Sequence, residues 1–432
     1  SGFWRDGKGV EYDENGSIIY NGEWNNGWKN GIGNETEWCY GYNKSVYMDC
    51  MRERGPVDNT KMVINTDYLF KKTMVVLVPP LFSKLKSVSI SIDSKENVSV
   101  FDISGLGELE TIVITKNCMS LKDEGMERRS KTPHGSFRVV NCGKLKTISI
   151  GDYSFSCYQS FEMSNLPSLK SIVIGNNCFG LVDTVTINGF DELKQILIGK
   201  GCFTVCLTED KISKSVVNGA LTVSDCRALD TIMVGAYSFS SFESFNVGNL
   251  ESLNVIGLGD CCFYHAQSFS LENFPNLSSV TLGNWCFFHC RSILFENLGI
   301  LNSIHLGYNT LAGEYEPSQI QQTDKLYYYN GTLVMKNLPA LSSFNGTGRN
   351  FKYIGTVTLE NIPALPFDKT DVLSASYNSS AHLTNPFSHG IVFGEESFFW
   401  THDVKSNDPS NTLKLFIKSI YRPNEHAPGI RN

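Results

Sequence analysis

The sequence predicts a mostly β fold: a solenoid of about ten to eleven stacked coils of about 24 residues each, with little helix, preceded by a short β-hairpin segment. Three observations carry this expectation. A four-residue phrase recurs at a fixed interval. Each recurrence is followed by a short stretch of alternating apolar residues, and a glycine follows that stretch at one fixed place.

The phrase reads VVNC (139–142), MSNL (163–166), INGF (187–190), VSDC (223–226), VGNL (247–250), LENF (271–274), FENL (295–298), MKNL (335–338) and LENI (359–362). Its third position is Asn141, Asn165, Gly189, Asp225, Asn249, Asn273, Asn297, Asn337 and Asn361, at intervals of 24, 24, 36, 24, 24, 24, 40 and 24. The common interval is the unit, and the long intervals add an insertion of 12 or 16 to it. An earlier coil, ISGL (103–106), lies 36 residues before Asn141. An asparagine column has a physical cause. At a solenoid corner the backbone leaves N–H and C=O groups unpaired, and a buried amide can pair with them. Gly189 lacks that amide, so its coil is expected to be the least regular.

Within one unit Phe161 and Met163 alternate, then come Leu166, Leu169, Ile172, Ile174 and Phe179. Period two marks strand, and no 3.6-residue period interrupts it. Gly151, Gly175, Gly199, Gly235, Gly259, Gly283 and Gly307 follow successive strands. Glycine at such a place predicts a turn with positive φ.

The spacing L-x-x-I-x-I-x-x-N-x-F, seen in LKTISIGDYSF (145–155), LKSIVIGNNCF (169–179), LNVIGLGDCCF (253–263) and LSSVTLGNWCF (277–287), resembles leucine-rich repeats of the BspA type, found on bacterial and protist proteins. The resemblance covers residues 80–400. The departure is at the position before the Cys-Phe pair, where Tyr153, Gly201, Tyr237, Cys261 and Trp285 replace asparagine. At the N-terminus, Gly2-Phe3-Trp4 matches Gly22-Glu23-Trp24, and Tyr20, Gly22, Trp24, Asn26, Gly27, Gly31 and Gly33 resemble MORN repeats, which implies β-hairpins in single file. The first such unit lacks its opening Tyr, so the natural chain is expected to begin before residue 1. The expected organisation is residues 1–33 MORN-like, 34–73 connector, 74–400 solenoid and 401–432 a cap or tail. TLKLFIKSIY (412–421) could instead add a strand or dock on a partner.

The thirteen cysteines sort by column. Cys118, Cys178, Cys202, Cys262 and Cys286 share one position with Ser154, Ser238, Thr310 and Ser397, so small size explains them as buried apolar groups. Cys39 and Cys50 belong to no column and are the disulfide candidates. Cys262-x-x-His265 with Cys286-x-x-His289 has zinc-like spacing, but that spacing is the repeat itself, and no metal or other cofactor is expected.

The net charge of -7 gives no general attraction to nucleic acid, and no run is apolar and long enough to span a membrane. No nucleotide, hydrolase or metalloprotease motif occurs, and a ribbon surface is expected rather than a closed pocket. The expected function is therefore non-enzymatic: an interaction or adhesion scaffold for a protein partner. Two surfaces are candidates. One is the outward strand column, where Val173, Leu197 and Met233 are adjacent and apolar. The other is formed by insertions near 119–130, 207–218 and 312–327, with Lys122, Asp123, Glu127, Arg128, Arg129, Glu209, Asp210 and Lys211 as contact residues; all three follow the same Phe position and should leave one edge. The alternative is a structural protein that self-assembles end to end into filaments or a lattice. Buried free thiols point to the cytoplasm, while the resemblance to surface repeats points to an extracellular place. Eight N-x-S/T sequons are close to the chance number.

Overall fold

The structure, a computed structural model, describes residues 7–12, 18–25, 28–33, 36–39, 42–43, 60–65, 74–79, 82–91, 98–119, 135–204, 217–314, 329–363, 365, 390–394, 396–408 and 410–420. The chain is a mostly β solenoid with parallel strands and one short helix among the described residues. The first strand of each coil adds one rung to a single 12-stranded parallel sheet, from Lys61–Asn65 to Gly390–Phe393. The second strands form three further parallel sheets of four, three and five strands. Register is kept along the first sheet: Ile172 pairs with Ile196, Ile196 with Ile232, and Ile232 with Ile256. These isoleucines are buried, while the alternate residues face outward.

Two boundaries differ from the sequence reading. Lys61–Asn65 is already a rung of the long sheet, so the solenoid begins inside the expected connector. The antiparallel N-terminal sheet, five strands in sequence order, extends past residue 33 to Tyr42–Asn43. At the other end Asp403–Ser406 still pairs with the preceding coil, and Thr412–Ile420 is a helix rather than a strand. Asn411 caps it, its Oδ1 accepting from the Lys414 N–H at 3.2 Å. The helix buries Leu413, Phe416 and Ile417 on the last coil, with the Phe416 ring 6.0 Å from that of Phe393. Its apolar face thus covers core that would otherwise be open.

The asparagine column is a ladder of a different kind from the one expected. Its residues are exposed, and all have left-handed backbone: Asn141 at φ 56, Asn165 at 52, Asn273 at 60, Asn297 at 56. The side chains pair with one another. Nδ2 of Asn165 donates to Oδ1 of Asn141 at 2.8 Å, Asn297 to Asn273 at 2.8 Å, Asn337 to Asn297 at 2.7 Å and Asn361 to Asn337 at 2.7 Å. Asn249 donates to Asp225 at 2.9 Å. Asparagine suits both demands, since it tolerates the left-handed region and carries both donor and acceptor groups. Gly189 has the same backbone, φ 71, and the strand beside it keeps its register, so its coil is not irregular. The neighbouring Asn188 spans the missing rung, donating to Ser224 Oγ at 2.8 Å.

The glycine column also has another cause. Gly151 to Gly307 are absent from the positive-φ residues. A Cβ at Gly151, Gly235 or Gly259 would instead sit 2.5 Å from a backbone atom of the preceding coil. The column exists for close approach. Beside it runs a second ladder that the sequence reading missed: Oδ1 of Asp152, Asn176, Asp260 and Asn284 each accepts the backbone N–H of the next coil at 2.7 Å.

Phe155, Phe179, Phe203, Phe239, Phe263 and Phe287 form one continuous stack, with centroids 4.8–5.3 Å apart and ring planes within 12°. All six have left-handed backbone and are fully buried. Between them and the glycines lies the cysteine column. Small side chains in this column donate to a carbonyl of the coil before, Ser154 to Thr115 at 2.9 Å and, where a glycine stands there, to that glycine: Cys178 to Gly151 at 3.4 Å, Cys202 to Gly175 at 2.9 Å, Ser238 to Gly199 at 2.7 Å, Cys262 to Gly235 at 3.3 Å and Cys286 to Gly259 at 2.8 Å. Size alone therefore does not define the column; a donor does, which is why Ser and Thr alternate with Cys there. These thiols take part in no disulfide among the described residues.

Two substitution pairs test this packing. Gly259→Ala should lower stability by ~1–3 kcal/mol through overpacking, whereas Gly189→Asn, with nothing within 4 Å of its added Cβ, should be neutral or stabilising. Urea midpoints in the reverse order would refute the close-approach account. Cys286→Ser should stay near the parent, while Cys286→Ala, which orphans the Gly259 carbonyl, should cost ~1–3 kcal/mol. Equal losses from both would mean that volume alone matters.

Candidate interaction surface

The strand column is assembled in register. Val173, Leu197 and Met233 lie directly beside one another on Ser171–Ile174, Gln195–Ile198 and Thr231–Val234. Val173 and Leu197 are half-buried and Met233 is 43% exposed. The Met233 thioether lies across Gly257 of the next coil, its Sδ 2.6 Å from where a Cβ would stand. Ser149 then separates the strip from the exposed Val113. Three side chains on a flat sheet cover far less than the ~800 Å² per partner of a specific interface. The strip can only be part of a larger surface.

The three insertions connect equivalent points. They depart after Met119, Thr204 and Glu314, just past the left-handed Phe position, and return before the second strands Gly135–Val140, Val217–Ser224 and Gly331–Lys336. All three therefore leave one corner of the coil. Each returns through a glycine six residues before the asparagine ladder: Gly135, Gly219 and Gly331. A side chain there would strike a neighbouring coil, at Tyr158 (2.5 Å), Asp183 (2.9 Å) and Ile354 (2.7 Å). The strand pairing shifts at each return, the mark of a bulge. The recurring glycine followed by Ser, Ala or Thr before a strand is the sequence signal for this, and it is easily passed over because the glycines interrupt no period. Lys122, Asp123, Glu127, Arg128, Arg129, Glu209, Asp210 and Lys211 fall outside the described residues, as does Cys50, the expected partner of Cys39.

The same corner carries an aromatic cluster that sequence reading recorded only as a departure from the repeat. The position before the Cys-Phe pair is left-handed in coil after coil: Asn117 at φ 60, Asn177 at 56 and Asn309 at 55, but also Tyr153 at 58, Tyr237 at 66, Cys261 at 60 and Trp285 at 61. An L residue without an asparagine side chain loses ~1–2 kcal/mol in that region. Three successive coils nevertheless place Tyr237, Cys261 and Trp285 there. Tyr237, Tyr264 and Trp285 pack around Cys261, which is 2% exposed. Tyr264 stacks on Phe288 at 5.0 Å, and Trp285 lies 5.0 Å from Phe288 and 6.1 Å from Tyr308. Cations close both ends: Lys200 sits 5.2 Å over Tyr237 and Arg349 5.5 Å over Tyr308. The cluster occupies the coils between the second and third insertions.

His265 and His289 belong to this cluster and not to a metal centre. Cys262 and Cys286 turn inward to their glycine carbonyls, while the two imidazoles stack on each other at 5.5 Å with planes 4° apart. The four side chains do not converge. Burial pushes the Cys142 thiol up to about 11 and the Cys290 thiol higher still.

No family model matches the chain, and no curated protein matches it. Among solved structures, a crystal structure of a leucine-rich repeat protein from Bacteroides ovatus is similar over 55% of this chain and 71% of that one, at 15% identity and a TM-score of 0.20. At that TM-score the two chains do not superpose as wholes. The fold described above rests on this chain's own strand ladders.

Proposed function

We propose that the chain is a non-enzymatic protein-interaction scaffold whose contact surface is the corner running from Lys200 to Arg349. The second and third insertions fall within this span, and the strand strip ending at Met233 lies just before Tyr237 in the same coil. One observation carries the reading: Tyr237, Tyr264, Trp285 and Phe288 of three successive coils form a partly exposed aromatic cluster at this corner, flanked by the Lys200 and Arg349 cations. Tyrosine, tryptophan and arginine are also the residue types that anchor protein interfaces.

The coil phrase supports a leucine-rich-repeat scaffold of the BspA-like type, with adhesion as its setting, and the antiparallel N-terminal sheet supports MORN-like hairpins. A ribbon surface and the buried Cys142 and Cys290 thiols, held protonated, support a binder over a catalyst. End-to-end assembly is the second reading. The helix over the last coil counts against it, since it occupies the surface on which a following molecule would stack.

Tyr237→Asn combined with Trp285→Asn should abolish capture of partners that the parent chain retains from extracts of its own cells. Stability should change by less than ~2 kcal/mol, because relieved strain offsets lost packing. Removing all three insertions should also abolish capture with the solenoid intact. Undiminished capture by both variants would sink this reading. Light scattering should give one concentration-independent mass; polymers growing with concentration would favour the structural alternative.

A further inference from the structure

The face built from the second strands is divided at two places where the face built from the first strands is continuous. Its strands fall into three blocks, Met74–Leu77 to Tyr158–Ser164, Thr184–Asn188 to Phe242–Gly248, and Ser268–Glu272 to Asp403–Ser406. Two further interactions stop at the same two seams. From Gly105 to Asn337 the residues of the asparagine column otherwise donate their backbone N–H to the second strand of the next coil, as Asn141 does to Ser164 at 3.1 Å and Asn273 to Glu296 at 3.0 Å, but Asn165 and Asn249 make no such bond. The side-chain rungs are missing there too. Gly189 has no amide to offer Asn165, and Asn273 does not reach Asn249, although Asn249 donates to Asp225 and Asn297 to Asn273. Across the second seam Phe245 and Phe269 stack at 6.1 Å, against 5.1 and 5.3 Å for Phe101–Phe137 and Phe137–Phe161 inside the first block. The opposite side does not break. The first strands beside both seams stay paired in register, and the phenylalanine stack passes through, Phe155–Phe179 at 5.3 Å and Phe239–Phe263 at 5.2 Å.

We propose that the two seams are hinges: the solenoid is three blocks that swing about the continuous 12-stranded sheet, opening and closing the second face between them. Bending elsewhere on that face breaks a strand ladder, whereas bending at a seam breaks no strand bond, so motion collects there. Each block carries one strand by which an insertion rejoins the coil, Gly135–Val140, Val217–Ser224 or Gly331–Lys336, so a swing changes the angle between these three points. Each seam follows the strand that opens with the ring filling the space behind a return, Tyr158 or Phe242. The third return, filled by Ile354, is followed by the paired strand Asp403–Ser406 and by no seam. The hinge stands apart from the binding reading; only its use, a partner that bridges two blocks and fixes their angle, rests on that reading.

Two measurements on the full chain test this. In the first, pairs of spin labels are carried on ketone-bearing residues, which leaves the native thiols untouched. Thr186 and Leu294 stand in one outward column on either side of the second seam, and Ser270 and Lys405 stand in the same column inside the third block. Each pair spans the same number of coils, a backbone separation of about 19 Å on a rigid ladder. Double electron–electron resonance should give a distance distribution about twofold wider for the pair across the seam. The second measurement is residue-level hydrogen exchange, which needs no substitution. The amides of Asn165 and Asn249 should exchange ~10-fold or more faster than those of Asn141 and Asn273, with the first strands beside both seams as protected as the rest of their sheet. Equal widths for the two label pairs overturn the hinge, even where the amides exchange fast, because the seams are then open but rigid. Asn165 and Asn249 amides as protected as that of Asn141 overturn the seams themselves. Neither measurement involves a partner, so both fail independently of the binding reading.

Discussion

Everything in this molecule follows from the short distance between neighbouring coils. Parallel strands hydrogen-bonded in register hold successive coils about 4.8 Å apart, and no column of side chains can escape that spacing. At one corner the backbones approach so closely that only glycine fits. At the interior turn the same spacing brings phenylalanine rings into an offset stack at 4.8–5.3 Å, within the favoured range for aromatic pairs. At the outer corner it places asparagine amides one hydrogen bond apart. A coil departing from the spacing would break all of these at once, so the columns reinforce one another rather than acting singly.

The columns differ in how strictly they are filled, and the difference separates architecture from function. Where a residue has no freedom, the identity is nearly constant: glycine at the close approach, phenylalanine in the stack. Where the demand is only for a small donor, Cys, Ser and Thr interchange. The position before the Cys-Phe pair is the exception. Its left-handed backbone favours Asn or Gly, yet it holds Tyr153, Tyr237, Cys261, Trp285, Arg349 and Glu396.

Period and alternation make the solenoid legible before any coordinates, because stacking repeats the same chemistry in every coil. The physical reason behind a column is less legible. Gly151 to Gly307 read as a φ requirement and serve close approach; the sequence pattern of the two is identical, and only the neighbouring coil distinguishes them. Asn141 to Asn361 read as buried amides and are exposed ones. Lys61–Asn65 escapes notice because its coil lacks the asparagine phrase. The strand strip at Val173, Leu197 and Met233 is legible from alternation alone. The aromatic corner is visible only as a set of exceptions, since Tyr237 and Trp285 share one place in the unit, Tyr264 sits at another, and stacking brings them together.

The insertions show how the same constraint admits novelty. An added segment must leave the coil where no ladder is interrupted and must rejoin in register. The corner after the buried Phe satisfies the first condition, because the next ladder begins only at the second strand. The glycine bulge at Gly135, Gly219 and Gly331 satisfies the second, absorbing the mismatch before the strand pairs. In the following coil a larger residue, Tyr158, Phe242 or Ile354, fills the volume behind the return, where coils without an insertion use Val182, Ala266 or Cys290. Departure, return and filling residue recur together three times. The corner is therefore one place in the coil where added chain leaves the strand pairing intact; residues 366–389 add chain at another, between Ile354–Glu360 and Gly390–Phe393, and that last strand still pairs in register with Ser343–Gly346.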